Sequence, residues 1–261
     1  MKIKLVDPRK TVQRRPYRLS PNERELVRDK INELLQCKII RPSCSPYASP
    51  ANGTHRLCVD YRELNSNTVA DRYPLPLISD QIARLYGAKY FTCLDMASGY
   101  YQIPMHEESV ECTAFVTPDG QYDFLAMPFG LKNAPSIFQR TVMQTLGDLA
   151  NTFVVVYMDD VMVAAATKSE ALERLQITLE CLTNAGFSFH IEKCSFLKST
   201  VQYLGYKVSA GEIRSNSRKV TALTTLPPPQ SVSALRQFIG LASYFRQIMK
   251  GFSCFMKPLY L

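Results

Sequence analysis

The pattern of apolar and polar positions predicts short strands that end in aspartates. Val154–Tyr157 and Val161–Val163 are rich in β-branched and aromatic residues, which favours strands over a helix in runs this short. Asp159 and Asp160 interrupt the two runs, so the pattern predicts a hairpin with an acidic tip. Asp95 ends a third apolar run of the same kind. Because an Asp-Asp pair without glycine suits a tight turn poorly, turn formation alone does not account for this tip.

Capping signals predict the helices that accompany these strands. Residues 20–23 (Ser-Pro-Asn-Glu) combine an N-cap serine, a proline at the first helical position and a glutamate three residues later. They open a helix that runs to about residue 36. Residues 167–170 (Thr-Lys-Ser-Glu) open a second helix in the same way, and Gly186 ends it. Apolar residues at helical spacing predict a third helix over 134–149.

Finer predictions come from the same periodicity. Leu26 and Leu172 are assigned to the buried faces of the first two helices, and a short strand is expected at 187–190. Two more helices are predicted near 218–226 and 233–249, on either side of a run of three prolines that breaks the helical pattern.

Length and composition narrow the class of protein. At 261 residues with 46% hydrophobic residues, the chain can bury the core of one or two domains. It has no apolar run near 18 residues and no signal-peptide pattern, so we expect a soluble, intracellular protein without a membrane partner. Its eight cysteines are scattered without a Cys-x-x-Cys pair, which favours free thiols over a zinc site. The sequence leaves the oligomeric state open.

The positive charge is concentrated at the N-terminal end. Residues 1–62 contain 14 Lys and Arg against 6 Asp and Glu, whereas residues 63–261 contain 17 of each, so the net charge of +8 belongs to the first segment. Such a basic region suits the binding of nucleic-acid phosphates. For residues 1–15 we prefer the interpretation as a disordered basic tail.

Aspartates at strand ends suit a metal site. Mg²⁺ usually takes one or two carboxylates and completes its shell with water and substrate phosphate, so Asp95, Asp159 and Asp160 are candidate ligands. Two strand ends of this kind can hold two metal ions about 4 Å apart, the arrangement that serves phosphoryl transfer. A solvated acidic turn with a local cap at Asp95 explains the same residues, and spacing alone leaves both interpretations open.

Five motifs follow one another in an order that resembles a known family. In chain order they are residues 57–65 (LCVDYRELN), 94–100 (LDMASGY), 113–120 (TAFVTPDG), 127–135 (MPFGLKNAP) and 157–160 (YMDD). Together they resemble the reverse transcriptases of gypsy-type long-terminal-repeat retrotransposons. The similarity runs from about Arg15 to the C-terminus.

The resemblance implies an α+β fold of the right-hand polymerase type. Its parts are fingers, an antiparallel-sheet palm backed by helices, and a partial helical thumb. Residues 1–19 are then a basic extended lead-in, residues 20–212 the fingers and palm, and residues 213–261 the partial thumb. We expect the chain to be truncated before the connection and ribonuclease H regions that follow in such polyproteins.

The resemblance also implies an activity, that of an RNA-directed DNA polymerase from a retrotransposon Pol polyprotein. Its partners would be an RNA or DNA template with a primer, and deoxynucleoside triphosphates. Its cofactor would be Mg²⁺, as two ions, with Mn²⁺ as a substitute. Asp95 and Asp159 would hold both ions, and Asp160 would support one of them.

The same resemblance assigns further residues to the substrates. Tyr100 would lie beneath the sugar of the incoming nucleotide and select against a 2′-hydroxyl. Arg56 would contact the triphosphate, and Phe129 and Gly130 would line the nucleotide pocket. The turn at Leu204-Gly205 would belong to the primer grip.

One segment departs from the family pattern. After Pro50 only Ala51–His55 precede Arg56, where relatives carry an apolar strand and a lysine-rich turn. The shortening predicts a finger hairpin that lacks one strand and exposes the edge of the other. The alternative function is therefore a catalytically impaired, nucleic-acid-binding remnant. A cyclase-type nucleotide enzyme with a similar two-aspartate sheet is a third and weaker reading.

Overall fold

The chain folds into two compact units, each assembled from separate segments. A computed structural model describes residues 1–53, 57–215, 221, 225–243, 245–246, 249 and 251–259. The first unit comprises residues 1–75, 96–147 and 181–190, and the second comprises residues 76–95, 148–180 and 191–261.

The helices and strands are named in chain order. The helices are α1 (Pro21–Gln36), α2 (Arg62–Ser66), α3 (Ile78–Ala83), α4 (Glu107–Val110), α5 (Ala134–Leu146), α6 (Leu149–Thr152), α7 (Lys168–Asn184), α8 (Val232–Ser243) and α9 (Phe252–Met256). The strands are β1 (Ile40–Pro42), β2 (Ser49–Gly53), β3 (Leu57–Val59), β4 (Tyr90–Asp95), β5 (Phe115–Thr117), β6 (Gly120–Phe124), β7 (Val154–Tyr157), β8 (Asp160–Ala165), β9 (Ser195–Lys198), β10 (Thr200–Tyr203), β11 (Tyr206–Ser209) and β12 (Glu212–Ser215).

The first unit is built on a five-stranded sheet in the order β1-β6-β5-β2-β3, in which only the β2–β5 pair is parallel. Helix α1 begins with the predicted capping box, since Ser20 Oγ accepts the N–H of Glu23 and the Glu23 carboxylate accepts the N–H of Ser20. Its buried face is formed by Val27, Ile31 and Leu34. The assignment of Leu26 to this face was wrong: its side chain is exposed, because it lies one position off the buried stripe.

The hairpin formed by residues 49–59 has both of its strands. β2 and β3 pair antiparallel from Ala51↔Val59 to Gly53↔Leu57, so the expectation of a missing strand was wrong. Three residue pairs join the two strands. Arg56 lies outside the described residues, between these strands.

The second unit contains a four-stranded antiparallel sheet in the order β7-β8-β4-β9 and a three-stranded meander, β10-β11-β12. Its core cluster brings Phe91 of β4 and Met162 of β8 together with Val208 of β11, all nearly inaccessible to solvent. Leu85, which follows α3, is buried in the same cluster. β4 is an interior strand of this sheet, between β8 and β9, and Asp95 is its last residue.

Some helix and strand predictions need correction. The helix predicted over 134–149 is split, because Gly147 adopts a positive φ of 51° after α5 and a short helix, α6, follows. Leu172 is exposed on α7, where Ala171 and Leu182 are buried instead. The strand predicted at 187–190 is reduced to one isolated bridge at Phe189.

The C-terminal segment is helical where it is described. α8 confirms most of the helix predicted over 233–249, and Ala242 packs with Phe252 and Met256 of α9. The helix predicted near 218–226 falls largely on residues 216–220 and 222–224, which lie outside the described residues. In the described part of the chain, no helix combines the length and the apolar character needed to cross a membrane.

Candidate active site

Three aspartates converge at one end of the four-stranded sheet. Strands β4 and β8 pair along their full length, and the last pair places Asp95 directly opposite Asp160. Because side chains alternate along a strand, Asp160 lies on the same face as Met162 and Ala164, the face that packs into the core cluster. Asp159 comes from the adjoining turn. The hairpin therefore brings the three predicted carboxylates together in the second unit.

The turn at the tip is displaced by one residue from the prediction. Tyr157 pairs with Asp160, so the two loop residues are Met158 and Asp159, and Asp160 already belongs to β8. Met158 has a positive φ of 54°, a conformation that costs a residue with a side chain roughly 1–2 kcal/mol. This bend allows neighbouring aspartates to approach the same region from different directions.

The ionised carboxylates at the tip are destabilised by burial and by one another's negative charge. Burial, followed by the negative charges of Asp160 and Asp95, raises the pKa of Asp159. Asp160 reaches solvent on one side while the packed sheet desolvates it, and that desolvation together with the charge of Asp95 raises its pKa as well. The Oδ1 atom of Asp159 is buried and has no hydrogen-bond partner among the residues that the structure describes. A positively charged ligand at this place would relieve both the repulsion and the missing contact.

The carboxylates at the tip could supply part of the ligand shell of a metal ion. Within the described ranges, no group of three His, Cys, Asp or Glu side chains is arranged to enclose a metal ion. The buried, unpartnered Oδ1 of Asp159 and the repelling carboxylates nevertheless provide the hard oxygen ligands that Mg²⁺ prefers. Because Mg²⁺ commonly retains water and substrate phosphate in its shell, an incomplete protein site suits it.

Two residues that contact Asp95 were not predicted from the sequence. Lys193 Nζ lies 3.9 Å from Asp95 Oδ1, and the sulfur of Cys194 accepts a hydrogen bond from the backbone N–H of Asp95 at 3.4 Å. Both residues precede β9, the strand that pairs with β4 from about 100 residues later in the chain. No local signal in the sequence marks them, because their role follows from this long-range pairing.

The turn predicted for the primer grip joins β10 and β11. Tyr203 pairs with Tyr206, and the two loop residues, Leu204 and Gly205, have positive φ values of 49° and 85°. Positive φ at both positions is the geometry of a type I′ hairpin turn, which glycine favours at the second position. Leu204 packs against the core cluster of the second unit, so the turn is anchored to the sheet that carries the aspartates.

The residues predicted for the nucleotide pocket lie in the first unit. The ring of Tyr100 is buried and stacks on Phe129, with ring centroids 4.9 Å apart and an interplanar angle of 30°. Gly130 has a positive φ of 90°, and its carbonyl accepts a hydrogen bond from Asn65 Nδ2 at 2.8 Å. A Cβ atom at Gly130 would meet Tyr61 at 3.5 Å, in ordinary contact, so it is the φ value that favours glycine here.

Sequence comparison places this geometry among known proteins. The profile of the family described as reverse transcriptase (RNA-dependent DNA polymerase) matches residues 46–208. The retrovirus-related Pol polyprotein from transposon opus of Drosophila melanogaster is 41% identical over 254 residues, which are 93% of this chain and 25% of that protein. The corresponding polyprotein from transposon gypsy of the same organism is 39% identical over 247 residues, 90% of this chain and 24% of that protein. The chain thus spans about a quarter of the length of the curated relatives it matches.

Solved structures agree on the fold. The foamy viral protease-reverse transcriptase dRH in complex with double-stranded DNA superposes with a TM-score of 0.85 at 23% identity, over 96% of this chain and 45% of that chain. The foamy viral protease-reverse transcriptase in complex with an RNA/DNA hybrid gives a TM-score of 0.81 at 23% identity, over 98% of this chain and 35% of that one. These likenesses confirm the predicted α+β polymerase fold. The resemblance seen in the five sequence motifs is confirmed as well, and the chain belongs to the reverse transcriptase (RNA-dependent DNA polymerase) family.

Proposed function

We propose that the chain is an RNA-directed DNA polymerase that adds deoxynucleotides to the 3′ end of a primer on an RNA or DNA template. One observation carries the proposal: Asp95, Asp159 and Asp160 meet at the end of one sheet although their charges repel one another. In the described part of the chain, neither Asp159 nor Asp160 forms an ion pair with a cationic side chain. An arrangement that is unfavourable for folding supports a role in binding cations.

The proposed roles of the three aspartates are unequal. Asp95 and Asp159 hold two Mg²⁺ ions, for which Mn²⁺ is a substitute, and Asp160 supports one of these ions. Metal ions held by these residues would supply neutralisation of phosphate charge and activation of the 3′-hydroxyl, with pyrophosphate as the leaving group. The protein contributes the positions of its carboxylates, which the rigid pairing of β4 with β8 fixes before substrate arrives.

The proposed contacts to the nucleotide involve Tyr100, Phe129 and Gly130 of the first unit. The stacking of Tyr100 on Phe129 gives a firm aromatic surface that excludes a 2′-hydroxyl and so selects deoxynucleotides. Gly130 and Arg56 complete the nucleotide contacts, and Leu204-Gly205 holds the primer end. The concentration of positive charge in residues 1–62 supports binding of template and primer through their phosphates. Residues 20–212 would then act as fingers and palm, and residues 213–261 as a partial thumb.

The test is Mg²⁺-dependent extension of a DNA primer on an RNA template. The parent protein is compared with Asp159→Asn, which preserves shape but removes the charge. Asp148→Asn is the matched control, since Asp148 is an exposed aspartate of the same unit that lies outside the acidic site. Extension by the parent and the control, and none by Asp159→Asn with its fold intact, is the expected result.

A different result would favour the alternative function. If the parent extends no primer but binds primer–template with an affinity that falls steeply as salt rises, the chain is a nucleic-acid-binding remnant rather than a polymerase. The shortened segment around Arg56 is the feature that favours this alternative. Turnover of nucleotides without any template would point instead to a cyclase-type enzyme.

A further inference from the structure

The strand that ends in Asp95 loses one of its two neighbours just before that residue. β4 pairs with β8 as far as Asp95, but its pairing with β9 is limited to Phe91↔Lys198 and Cys93↔Ser195, with a register shift between the two pairs. Beyond Cys93, among the described residues, β9 supplies no further strand partner on this side. The backbone N–H of Asp95 therefore needs an acceptor of another kind.

That acceptor is the sulfur of Cys194. The N–H of Asp95 donates to Cys194 Sγ at 3.4 Å in a half-buried setting. A thiol is a weak acceptor, but an unpaired backbone donor at this place would be costly. The backbone of Cys194 is itself held, because its N–H donates to the carbonyl of Ile191 at 3.1 Å and closes the 3₁₀ turn Ile191–Lys193.

Two further contacts hold the same junction. The N–H of Leu197, a residue with a positive φ of 50°, donates to Thr92 Oγ1 at 3.2 Å. Lys193 Nζ lies 3.9 Å from Asp95 Oδ1. Lys193 thus contacts the side chain of Asp95, and Cys194 contacts its backbone. The residues that precede β9 therefore hold the end of β4 in place.

We propose that Cys194 is a positioning residue for Asp95, whose backbone it fixes so that the Asp95 and Asp159 carboxylates lie at the spacing that shared metal ions require. The inference rests on the proposed function, because it assigns a ligand role to these aspartates. Asp95 and Asp160 are cross-strand partners, so a shift of the Asp95 backbone changes the separation of the carboxylates directly. Outer contacts that orient metal ligands commonly change metal affinity by about 10- to 100-fold.

The experiment measures Mn²⁺ binding to the free protein, without nucleotide or nucleic acid, from the electron paramagnetic resonance signal of unbound Mn²⁺. Cys194→Ala removes the acceptor and should weaken binding by roughly 3- to 10-fold, less than is usual for such contacts because sulfur accepts weakly. Cys194→Ser retains an acceptor and should bind Mn²⁺ within about twofold of the parent. The Mg²⁺ concentration for half-maximal primer extension should shift in parallel, with the rate at saturating Mg²⁺ little changed.

Cys181→Ala is the matched control. Cys181 is also half-buried and its thiol also bonds to the backbone, donating to the carbonyl of Thr145 at 3.0 Å, but it belongs to the first unit. Its loss should leave Mn²⁺ affinity unchanged. Unchanged affinity in Cys194→Ala, or equal weakening in the Ala and Ser variants, would overturn the positioning role.

Amide hydrogen exchange in the parent protein tests the same contact without any substitution. The Asp95 amide should be protected, and exchange at the rate of an open chain would contradict the proposal even if Cys194→Ala does not fold. Failure of the proposed function has a separate signature. If the parent extends no primer while Mn²⁺ affinity follows the expected order of variants, the polymerase activity is refuted and the positioning role stands.

Discussion

Aspartates of the first unit and aspartates of the acidic tip lie in opposite electrostatic surroundings. The Arg62 guanidinium holds the pKa of Asp60 below its usual range. Burial pushes the pKa of Asp71 upward, but the N–H of Tyr73 and the Arg140 guanidinium outweigh it, so this pKa is lowered too. At the tip, by contrast, burial and neighbouring carboxylates raise the pKa values of Asp159 and Asp160.

The contrast separates carboxylates that stabilise the fold from carboxylates that the fold merely tolerates. A folding protein reaches a lower free energy by pairing its acids, as the first unit does with Arg140 and Asp71. At the tip, Asp159 and Asp160 form no ion pair with any cationic side chain in the described part of the chain, and they lie beside a backbone bend at Met158. Residues kept in such surroundings are expected to contribute to function rather than to stability.

The largest expected effect is a loss of activity at the acidic tip, which would show that its aspartates serve function. Asp159→Asn should lower primer extension by about 10³-fold or more, since a charged ligand proposed for both metal ions is lost. Steady-state extension rates at saturating Mg²⁺ measure it. Comparable extension by parent and variant would remove Asp159 from the site.

A second substitution sharpens the division of roles within the tip. Asp160→Asn should lower extension by roughly 10- to 100-fold, less than Asp159→Asn, because Asp160 acts in support of a ligand rather than as a principal one. The same extension assay ranks the two variants. An equal or larger loss for Asp160→Asn would reverse the assigned roles.

The third effect concerns stability and its pH dependence. In metal-free protein at neutral pH, Asp159→Asn should raise the free energy of unfolding by about 0.5–2 kcal/mol, the gain typical of removing a functional compromise. Because the folded-state pKa of Asp159 is raised, its unfavourable charge is present at neutral pH and disappears as the pH falls through that pKa. Thermal melting from pH 7 to pH 4 should therefore show the gain shrinking. A gain that grows on acidification would show that the pKa is lowered instead.

A smaller effect is expected where acids are paired. Arg140→Gln removes the partner of Asp71 and a cation that lies 5.4 Å above the Tyr73 ring, so it should lower the free energy of unfolding by about 0.5–1 kcal/mol at pH 7. Urea denaturation measures the change. A stabilised Arg140→Gln variant would show that pairing does not distinguish the two groups of aspartates.

The smallest effect is expected at an exposed cluster of one aspartate and two arginines. Asp119 accepts hydrogen bonds from Arg24 and Arg28, whose guanidinium groups hold its pKa down, yet solvent screens this cluster. Asp119→Asn should lower the melting temperature less than Arg140→Gln does, and the difference in melting temperature between Asp119→Asn and the parent should narrow at high salt. Differential scanning fluorimetry at two salt concentrations is sufficient.

Features that depend on residues close together in the chain were predicted correctly from local patterns. The strands on either side of the acidic tip and the capping box of α1 depend on residues a few positions apart, and both were confirmed. The turn was displaced to Met158-Asp159 because pairing of Asp160 with Asp95, distant in sequence, sets the register. The exposed Leu172 shows that periodicity identifies a helix face without giving its width.

In the proposed site too, local sequence signals identified some residues, and long-range pairing determines the others. Asp95 and Asp159 were recognisable because each follows an apolar strand and belongs to a family motif. Lys193 and Cys194 were not, since they reach Asp95 only through the pairing of β4 with β9. The roles of Tyr100, Phe129, Gly130, Leu204 and Gly205 stay predictions.

The strand order of the second unit also determines when its site can form. Cys93 pairs with Met162 on one side and with Ser195 on the other, so the partners of β4 follow it by about 70 and about 100 residues. At a synthesis rate of roughly 5–20 residues per second, the last partner emerges on the order of 5–20 s after β4. Contacts of such long sequence separation also form slowly. On the ribosome, β4 with its apolar side chains Phe91 and Leu94 therefore lacks its strand partners until β8 and β9 have been synthesised, and exposed apolar surface in this interval favours aggregation.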